Sequence, residues 1–280
     1  MKPAVLAGRL MKLLPLMRCP RCGSAFSLNG ASLICEQRHC YDLSRRGYVN
    51  LAPGHDQSAE KYDADLFESR RIVFESGFYQ PVMEAIAALL PGDEITVLDV
   101  GCGEGWYART LAGQFPKAEL LGLDISRDAI TAAAQSQIRA NWLVADLKRL
   151  PVADHSIDVL LDVLTPADYT EFARVLKPEG LLIKVIPGAA YLHEVRRAVA
   201  PWLRSGDSYD NTRVMDHLRE NARVLSDTEI RVTTPLTPEQ SHAFLRMTPM
   251  TFSVPREVLD GLSLSEITVH MHVLCCRMQA

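Results

Sequence analysis

The 280-residue chain predicts an α/β protein: a doubly wound, mostly parallel sheet with an antiparallel edge pair, preceded by a small metal-bound domain. Three observations carry that expectation. Short β-branched strands alternate with helix-like segments from residue 95 to residue 187. Two more strand-like runs, "TEIRVTTPL" and "SEITVHMHVLCC", stand near the end. Four of the seven cysteines crowd into residues 19–40.

Composition bounds the rest. With 48% hydrophobic residues the chain can bury one large core plus something small. A formal net charge of −4 speaks against coating nucleic acid by bulk charge, but the charge is unevenly placed. Residues 1–50 carry +6 and the remainder −10, a basic head on an acidic body, so a polyanion would be met by the head. No run approaches the roughly 20 apolar residues of a membrane helix. The opening "MKPAVLAGRLMKLLPLM" is broken by Arg9, Lys12 and Pro15 and has no small-residue cleavage site after it, so it reads as a short extension or a partly ordered helix. Clustered cysteines in a chain unlike a secreted disulfide scaffold point to metal and to a cytoplasmic location.

The metal-bound unit is read from Cys19-x2-Cys22 and Cys35-x3-His39, two pairs whose spacing lets side chains converge on one Zn²⁺. Pro20 stiffens the first turn and Gly23 permits the tight backbone after it. Between the pairs, "AFSLNGASLIC" reads as a hairpin turning at Asn29-Gly30 in type I′ geometry. Two ligand pairs on a hairpin make a zinc ribbon, whose metal is closed and structural. His39 and Cys40 are neighbours and only one completes the tetrahedron; spacing alone does not choose between them.

Next come "YDADLFESRRIVFESGFYQP", a helix-capable bridge, and the strand "ITVLDVGCGEG", which enters a glycine-rich turn. Helices "WYARTLAGQF", "RDAITAAAQS" and "YTEFARVLKPEG" alternate with strands "AELLGLDIS", "NWLVADLKRLP", "IDVLLDVL" and "LLIKVIPG". The turn is G-x-G-x-G, with Gly101, Gly103, Glu104 and Gly105, and no Gly-Lys-Ser/Thr follows, so it is not a P-loop. It lets a ligand approach the backbone at the carboxyl edge of the sheet. Asp99 before the turn would repel a pyrophosphate and suits a cation. Asp124 ends the second strand, where it can accept both ribose hydroxyls, and Asp146 ends the third, within reach of an adenine amine. A nucleoside with a cationic tail describes S-adenosylmethionine.

Here the sequence resembles a family. "VLDVGCGEG", "LGLDIS", "VADLKRLP" and "RVLKPEG" match successive motifs of the class I, Rossmann-like methyltransferases across residues 95–188. "CPRCG", "CEQRH", "YDLSRRGYVNL", "ESRRIVFESGFYQP" and "LRMTPM" make the chain similar, from residue 19 to 280, to the bacterial 23S rRNA guanine-N1 methyltransferases. The resemblance implies zinc on Cys19, Cys22, Cys35 and His39, with Cys40 a bystander, and Tyr79 against the cofactor. Some relatives carry a histidine in a Gly-x-x-His-Leu segment where this chain has "GAAYL" with Tyr191. A histidine role does not transfer to that position, and Tyr191 is expected at the cofactor instead; His193 would point elsewhere.

The expected product is N1-methylguanine in the loop of a 23S rRNA hairpin, with Arg45 and Arg46 contacting phosphates. Asp162, before the loop "TPAD", is the candidate proton acceptor or guanine holder. The implied organisation is a zinc-binding domain with its extension over 1–53, a helical linker contributing to the cofactor site over 54–90, and the S-adenosylmethionine-dependent domain over 91–280. A homodimer is compatible with it. Two competing readings are a methyltransferase acting on another RNA or a small metabolite, which would not need the ribbon, and a non-enzymatic RNA-binding protein, which would not need Asp99, Asp124 and Asp146.

Overall fold

A computed structural model describes residues 3–54, 64–135, 139–203 and 209–279; residues 55–63 of the expected linker lie outside these. The chain opens with α1 (Pro3–Met11), the strands β1 (Phe26–Asn29), β2 (Ser32–Cys35), β3 (Cys40–Asp42) and β4 (Tyr48–Asn50), then α2 (Ala64–Glu75) and α3 (Gln80–Ala88). There follow β5 (Thr96–Val100), α4 (Trp106–Gln114), β6 (Glu119–Asp124), α5 (Arg127–Gln135), β7 (Asn141–Val144), β8 (Ile157–Val163), α6 (Tyr169–Val175) and β9 (Leu176–Pro187). The last third holds α7 (His193–Ala198), α8 (Thr212–Asn221), β10 (Ala222–Pro235), α9 (Pro238–Met247), α10 (Arg256–Asp260) and β11 (Glu266–Met278). Two compact units result, one of residues 1–58, 89–184 and 275–280, the other of residues 59–88 and 185–274. Strands β9 and β11 run from one into the other.

In the first unit the sheet runs β9-β8-β5-β6-β7-β4. The pairs β5–β8, β5–β6, β6–β7 and β7–β4 are all parallel, as the strand–helix alternation requires. Val97, Leu98, Leu121, Leu143, Val159 and Leu160 are buried, the near-continuous apolar runs of strands covered on both faces. Trp142 on β7 fills space that two glycines leave open: a Cβ at Gly105 or at Gly122 would lie 2.3 Å or 2.4 Å from the indole. The close seating of the glycine-rich turn on the sheet therefore depends on residues far apart in sequence.

The ribbon strands form a separate antiparallel sheet, β1-β2-β3. Its hairpin differs from expectation by one residue. Asn29 pairs with Ser32, so the two-residue turn is Gly30-Ala31, and of these only Gly30 has positive φ, 60°. Type II′ needs positive φ only at its first central position, and glycine supplies it, so the turn settles there rather than as type I′ at Asn29-Gly30. β4 leaves the ribbon and pairs with β7 as the last parallel strand of the main sheet, a junction not anticipated from sequence. The N-terminal stretch opens with α1, which buries Leu6 and Leu10, and the turns after it bury Leu13 and Met17.

In the second unit α2 and α9 pack through Arg70 Nε to the Met247 carbonyl (3.3 Å) and Gln240 Nε2 to Ser76 Oγ (3.2 Å). Phe78 meets Phe244 edge to face beside them. α9 begins with a reciprocal capping box between Thr237 and Gln240. β10 lies beside β11, and β11 beside the end of β9. The side-chain pairs Thr233–Thr268, Glu229–His270 and Asp227–His272 run in opposite directions along β10 and β11, which makes this edge pair antiparallel. No helix among the described residues is long and apolar enough to cross a membrane.

Candidate cofactor and metal sites

The ribbon brings four ligand atoms together. Cys22 Sγ and Cys35 Sγ are 3.6 Å apart, and His39 Nδ1 lies 3.5 Å from Cys19 Sγ and 3.4 Å from Cys35 Sγ. With Zn–S of about 2.3 Å and Zn–N of about 2.0–2.1 Å, a regular tetrahedron puts sulfurs about 3.8 Å apart and sulfur from nitrogen about 3.6 Å. The donor set fits zinc with hardly any movement. Each thiolate also has a donor: the Tyr41 hydroxyl on Cys19 (3.7 Å), Ser24 on Cys22 (3.3 Å) and the His39 backbone N–H on Cys35 (3.3 Å). Ser24, through its hydroxyl and its backbone N–H, draws the Cys22 thiol down to about 6. Cys40 is exposed on β3 and takes no part in the cluster. Arg45 and Arg46 sit exposed in the turn between β3 and β4.

The ribbon is seated on the loop that follows β7. Arg18 N–H donates to the Pro151 carbonyl (2.9 Å), Ala153 N–H to the Leu16 carbonyl (2.7 Å), and Arg149 Nη2 to the Arg21 carbonyl (2.9 Å). These contacts fall on residues 149–153, in the crossover from β7 to β8, so the metal unit is fastened to the body of the first unit.

At that edge four strands each deliver an aspartate. Asp124 uses both oxygens on backbone: Oδ2 accepts from Gly103 N–H (3.0 Å) and Oδ1 from Ser126 N–H (2.8 Å). Gly101, Gly103 and Gly105 all have positive φ, 65°, 56° and 73°, the twist that turns the chain from β5 into α4 past Glu104. Asp146 caps the short helical turn after β7 through Lys148 N–H (2.9 Å). Asp99 is buried, and its Oδ2 has no hydrogen-bond partner. Burial pushes its carboxyl up to about 8; the Asp124 and Asp162 carboxylates add to this, and the Ala108 N–H opposes it. A buried oxygen without a donor, in a nest of carboxylates, fits the cationic end of S-adenosylmethionine.

Asp162 is fully buried; its Oδ2 is held by the buried Lys184 ammonium at 2.5 Å, and its Oδ1 has no hydrogen-bond partner. Burial raises its carboxyl above the usual carboxylate range, and the ammonium opposes that rise. Sequence reading missed Lys184 altogether. The available signal was a lone lysine in the apolar strand "LLIKVIP", since a charge there must find a partner.

Tyr79 and Tyr191 meet in the second unit, hydroxyl to hydroxyl at 2.7 Å, both buried. Burial pushes the Tyr191 phenol up to about 12. His193, as expected, bonds locally, through Nδ1 to the Ala190 carbonyl at 3.2 Å.

Two outcomes are expected. Replacing His39 by alanine should strip most zinc from the purified protein while Cys40→Ser leaves one zinc per chain; elemental analysis reads both, and equal loss would contradict the ligand set. Lys184→Met leaves Asp162 buried and unpaired and should cost about 3–5 kcal/mol in denaturant unfolding. The double variant Asp162→Asn, Lys184→Met should recover most of that; a single variant as stable as the parent would contradict the pair's role.

Comparison with known proteins agrees with this geometry. Residues 97–180 match the family described as "Methyltransferase domain", and residues 17–59 match a zinc ribbon described as "RlmA, N-terminal". A Bacillus subtilis (strain 168) protein named for 23S rRNA (guanine-N(1)-)-methyltransferase activity is 37% identical, over 92% of this chain and 96% of its own. The Streptomyces fradiae 23S rRNA (guanine(748)-N(1))-methyltransferase is 29% identical, over 93% and 96%. A solved methyltransferase structure from Aquifex aeolicus shares the fold at a TM-score of 0.50 and 15% identity, covering 77% of this chain and all of that one. With the ribbon and the methyltransferase sheet both matched along nearly its whole length, the chain belongs to the 23S rRNA (guanine-N1)-methyltransferase family.

Proposed function

We propose that this protein transfers the methyl group of S-adenosylmethionine to N1 of a loop guanine in a hairpin of 23S rRNA, in the cytoplasm. The observation that carries the reading is the buried, donor-less Asp99 oxygen beside the glycine-rich turn, in a chain that also bears a basic zinc ribbon. Bound S-adenosylmethionine supplies a methyl group already activated on a sulfonium. The task of the chain is therefore orientation, which can supply about 7–11 kcal/mol of barrier reduction at best. Asp99 would take the cationic end, Asp124 the ribose hydroxyls and Asp146 the adenine amine, with Gly101, Gly103, Glu104 and Gly105 forming the cradle between them. Tyr79 and Tyr191 would border the cofactor. Asp162, with one oxygen on Lys184 and the other without a hydrogen-bond partner, is the candidate to hold the guanine or to take its N1 proton as the N–C bond forms.

Labour divides along the chain. Residues 1–53 hold RNA, 54–90 contribute Tyr79, and 91–280 carry the cofactor cradle. Guanine N1 lies inside a paired duplex, so the target must be unpaired or flipped out, and hairpin loops offer such bases. Arg45 and Arg46 would meet phosphates, which position RNA without reading its sequence. The net charge of +6 over residues 1–50 favours a nucleic-acid substrate over a small metabolite. A homodimer is compatible with the reading.

Incubation of unmodified 23S rRNA with protein and S-adenosylmethionine should create one new reverse-transcriptase stop at a loop guanine, with N1-methylguanine identified by mass spectrometry. Methylation of an exocyclic amine, of ribose, or of small metabolites alone would contradict the proposal. The Arg45→Ala, Arg46→Ala variant should bind the RNA with a shallower salt slope, by roughly 0.7–0.9 per lost phosphate contact, and bind cofactor unchanged. An unmoved slope would make these arginines surface charges only.

A further inference from the structure

The second unit contains a buried imidazole that the reading so far leaves unused. His270 Nε2 lies 2.8 Å from Glu229 Oε1 on the neighbouring strand, and its Nδ1 accepts the Ala190 backbone N–H at 3.0 Å. A nitrogen that accepts carries no proton, so the ring proton is on Nε2 and is donated to Glu229. The ring also lies flat under Gly188, where a Cβ would come within 2.4 Å of it. Residues 188–194 are then fastened at further points: Gly188 N–H to the His270 carbonyl (2.8 Å), Leu192 N–H to the Thr268 carbonyl (2.9 Å), and Thr268 N–H to Glu194 Oε2 (3.0 Å). Leu192 is held at a φ of 48°, a left-handed conformation that leucine adopts only when its surroundings fix it. Tyr191 stands in the middle of this fastened segment with its hydroxyl on Tyr79.

The same cluster invites a metal reading, because candidate ligand atoms of Glu229, His270 and His272 lie within 4.8 Å of one another. The Ala190 contact argues against it. A metal on Nε2 would move the ring proton to Nδ1, where it would face the Ala190 N–H donor to donor. Instead, His272 Nδ1 is engaged by Asp227 at 3.0 Å, as an outer member of the same cross-strand ladder.

We propose that Glu229 and His270 are positioning residues: through the neutral imidazole they fix the 188–192 backbone and with it Tyr191, setting cofactor affinity without touching the cofactor. This rests on the reading that Tyr79 and Tyr191 border S-adenosylmethionine.

Two conservative substitutions separate the halves of the relay. His270→Asn offers an amide oxygen near the Nδ1 position and keeps an acceptor for Ala190; His270→Gln reaches the Nε2 position and loses it. With 23S rRNA as substrate, His270→Gln should raise KM for S-adenosylmethionine at least tenfold with kcat changed less than threefold. His270→Asn should stay within about threefold of the parent in both, at similar thermal stability. Gly188→Ala, which displaces the ring without altering it, should reproduce the glutamine effect and serves if a His270 variant fails to fold. Equal behaviour of the asparagine and glutamine variants, or a Gly188→Ala enzyme indistinguishable from the parent, overturns the relay. Tyr191→Phe is the control on the premise: a KM unchanged there overturns the placement of Tyr191 and the relay together, whereas a raised KM with equal His270 variants overturns the relay alone. A second bound zinc, lost in His270→Asn, would replace the relay by a metal site.

Discussion

Carboxylates gathered at one edge of a sheet repel one another and resist burial, and the first unit is organised around relieving that strain. Asp124 is relieved by two backbone N–H groups, Asp146 by a helical-turn cap, and Asp162 by the Lys184 ammonium. Asp162 keeps Oδ1 without a partner beside its ion pair, and Asp99 keeps an unsatisfied oxygen and a carboxyl pushed up to about 8 by burial. Each relief has a structural consequence. The Asp124 bond to Gly103 shapes the glycine-rich turn, and the Asp162–Lys184 pair joins β8 to β9. The remaining cost at Asp99 is what a cationic ligand would remove.

The ribbon is fastened to the same unit. So small a unit has too little core to fold alone, and four ligand atoms already at tetrahedral separations mean that zinc supplies the missing stability. Its connections to the body run to residues 149–153, just after the Asp146 cap, and β4 extends the main sheet beside β7. RNA held by the ribbon would thus be held against the unit that carries the aspartates. Four protein ligands would leave a bound zinc no open coordination position, and its contribution would be to fix where the basic head sits.

Much of this was legible in the sequence because the signals were local. Strand–helix alternation, glycines at a turn requiring positive φ, aspartates at strand ends and paired metal-ligand spacings all act within a few residues of where they are read. What escaped was long-range. Trp142 fills the gap left by Gly105 and Gly122, Lys184 neutralises Asp162 across two strands, and His270 reaches Ala190 from a strand 80 residues away. At Asp162 the position at a strand end was visible, but the buried Lys184 partner was not. The hairpin turn slipped by one residue because Asn29-Gly30 and Gly30-Ala31 both satisfy the glycine requirement, and strand register decided between them.

The central claim, that Asp99 awaits the cation of S-adenosylmethionine, has a direct thermodynamic signature. In the free protein the carboxyl holds its proton below about pH 8; a cation beside it demands the carboxylate, so binding must release that proton. Affinity should therefore strengthen as pH rises, by up to about tenfold per unit between pH 6 and 7.5. Above that range the cofactor's own α-ammonium, with an ordinary value of about 7.7–8.0, begins to lose its charge. Titration calorimetry of the zinc-loaded protein with S-adenosylmethionine at pH 7, in two buffers of different ionisation enthalpy, counts the proton. The account predicts release of close to one proton per cofactor, abolished in Asp99→Asn; no release from the parent protein, or the same release from the variant, would contradict it.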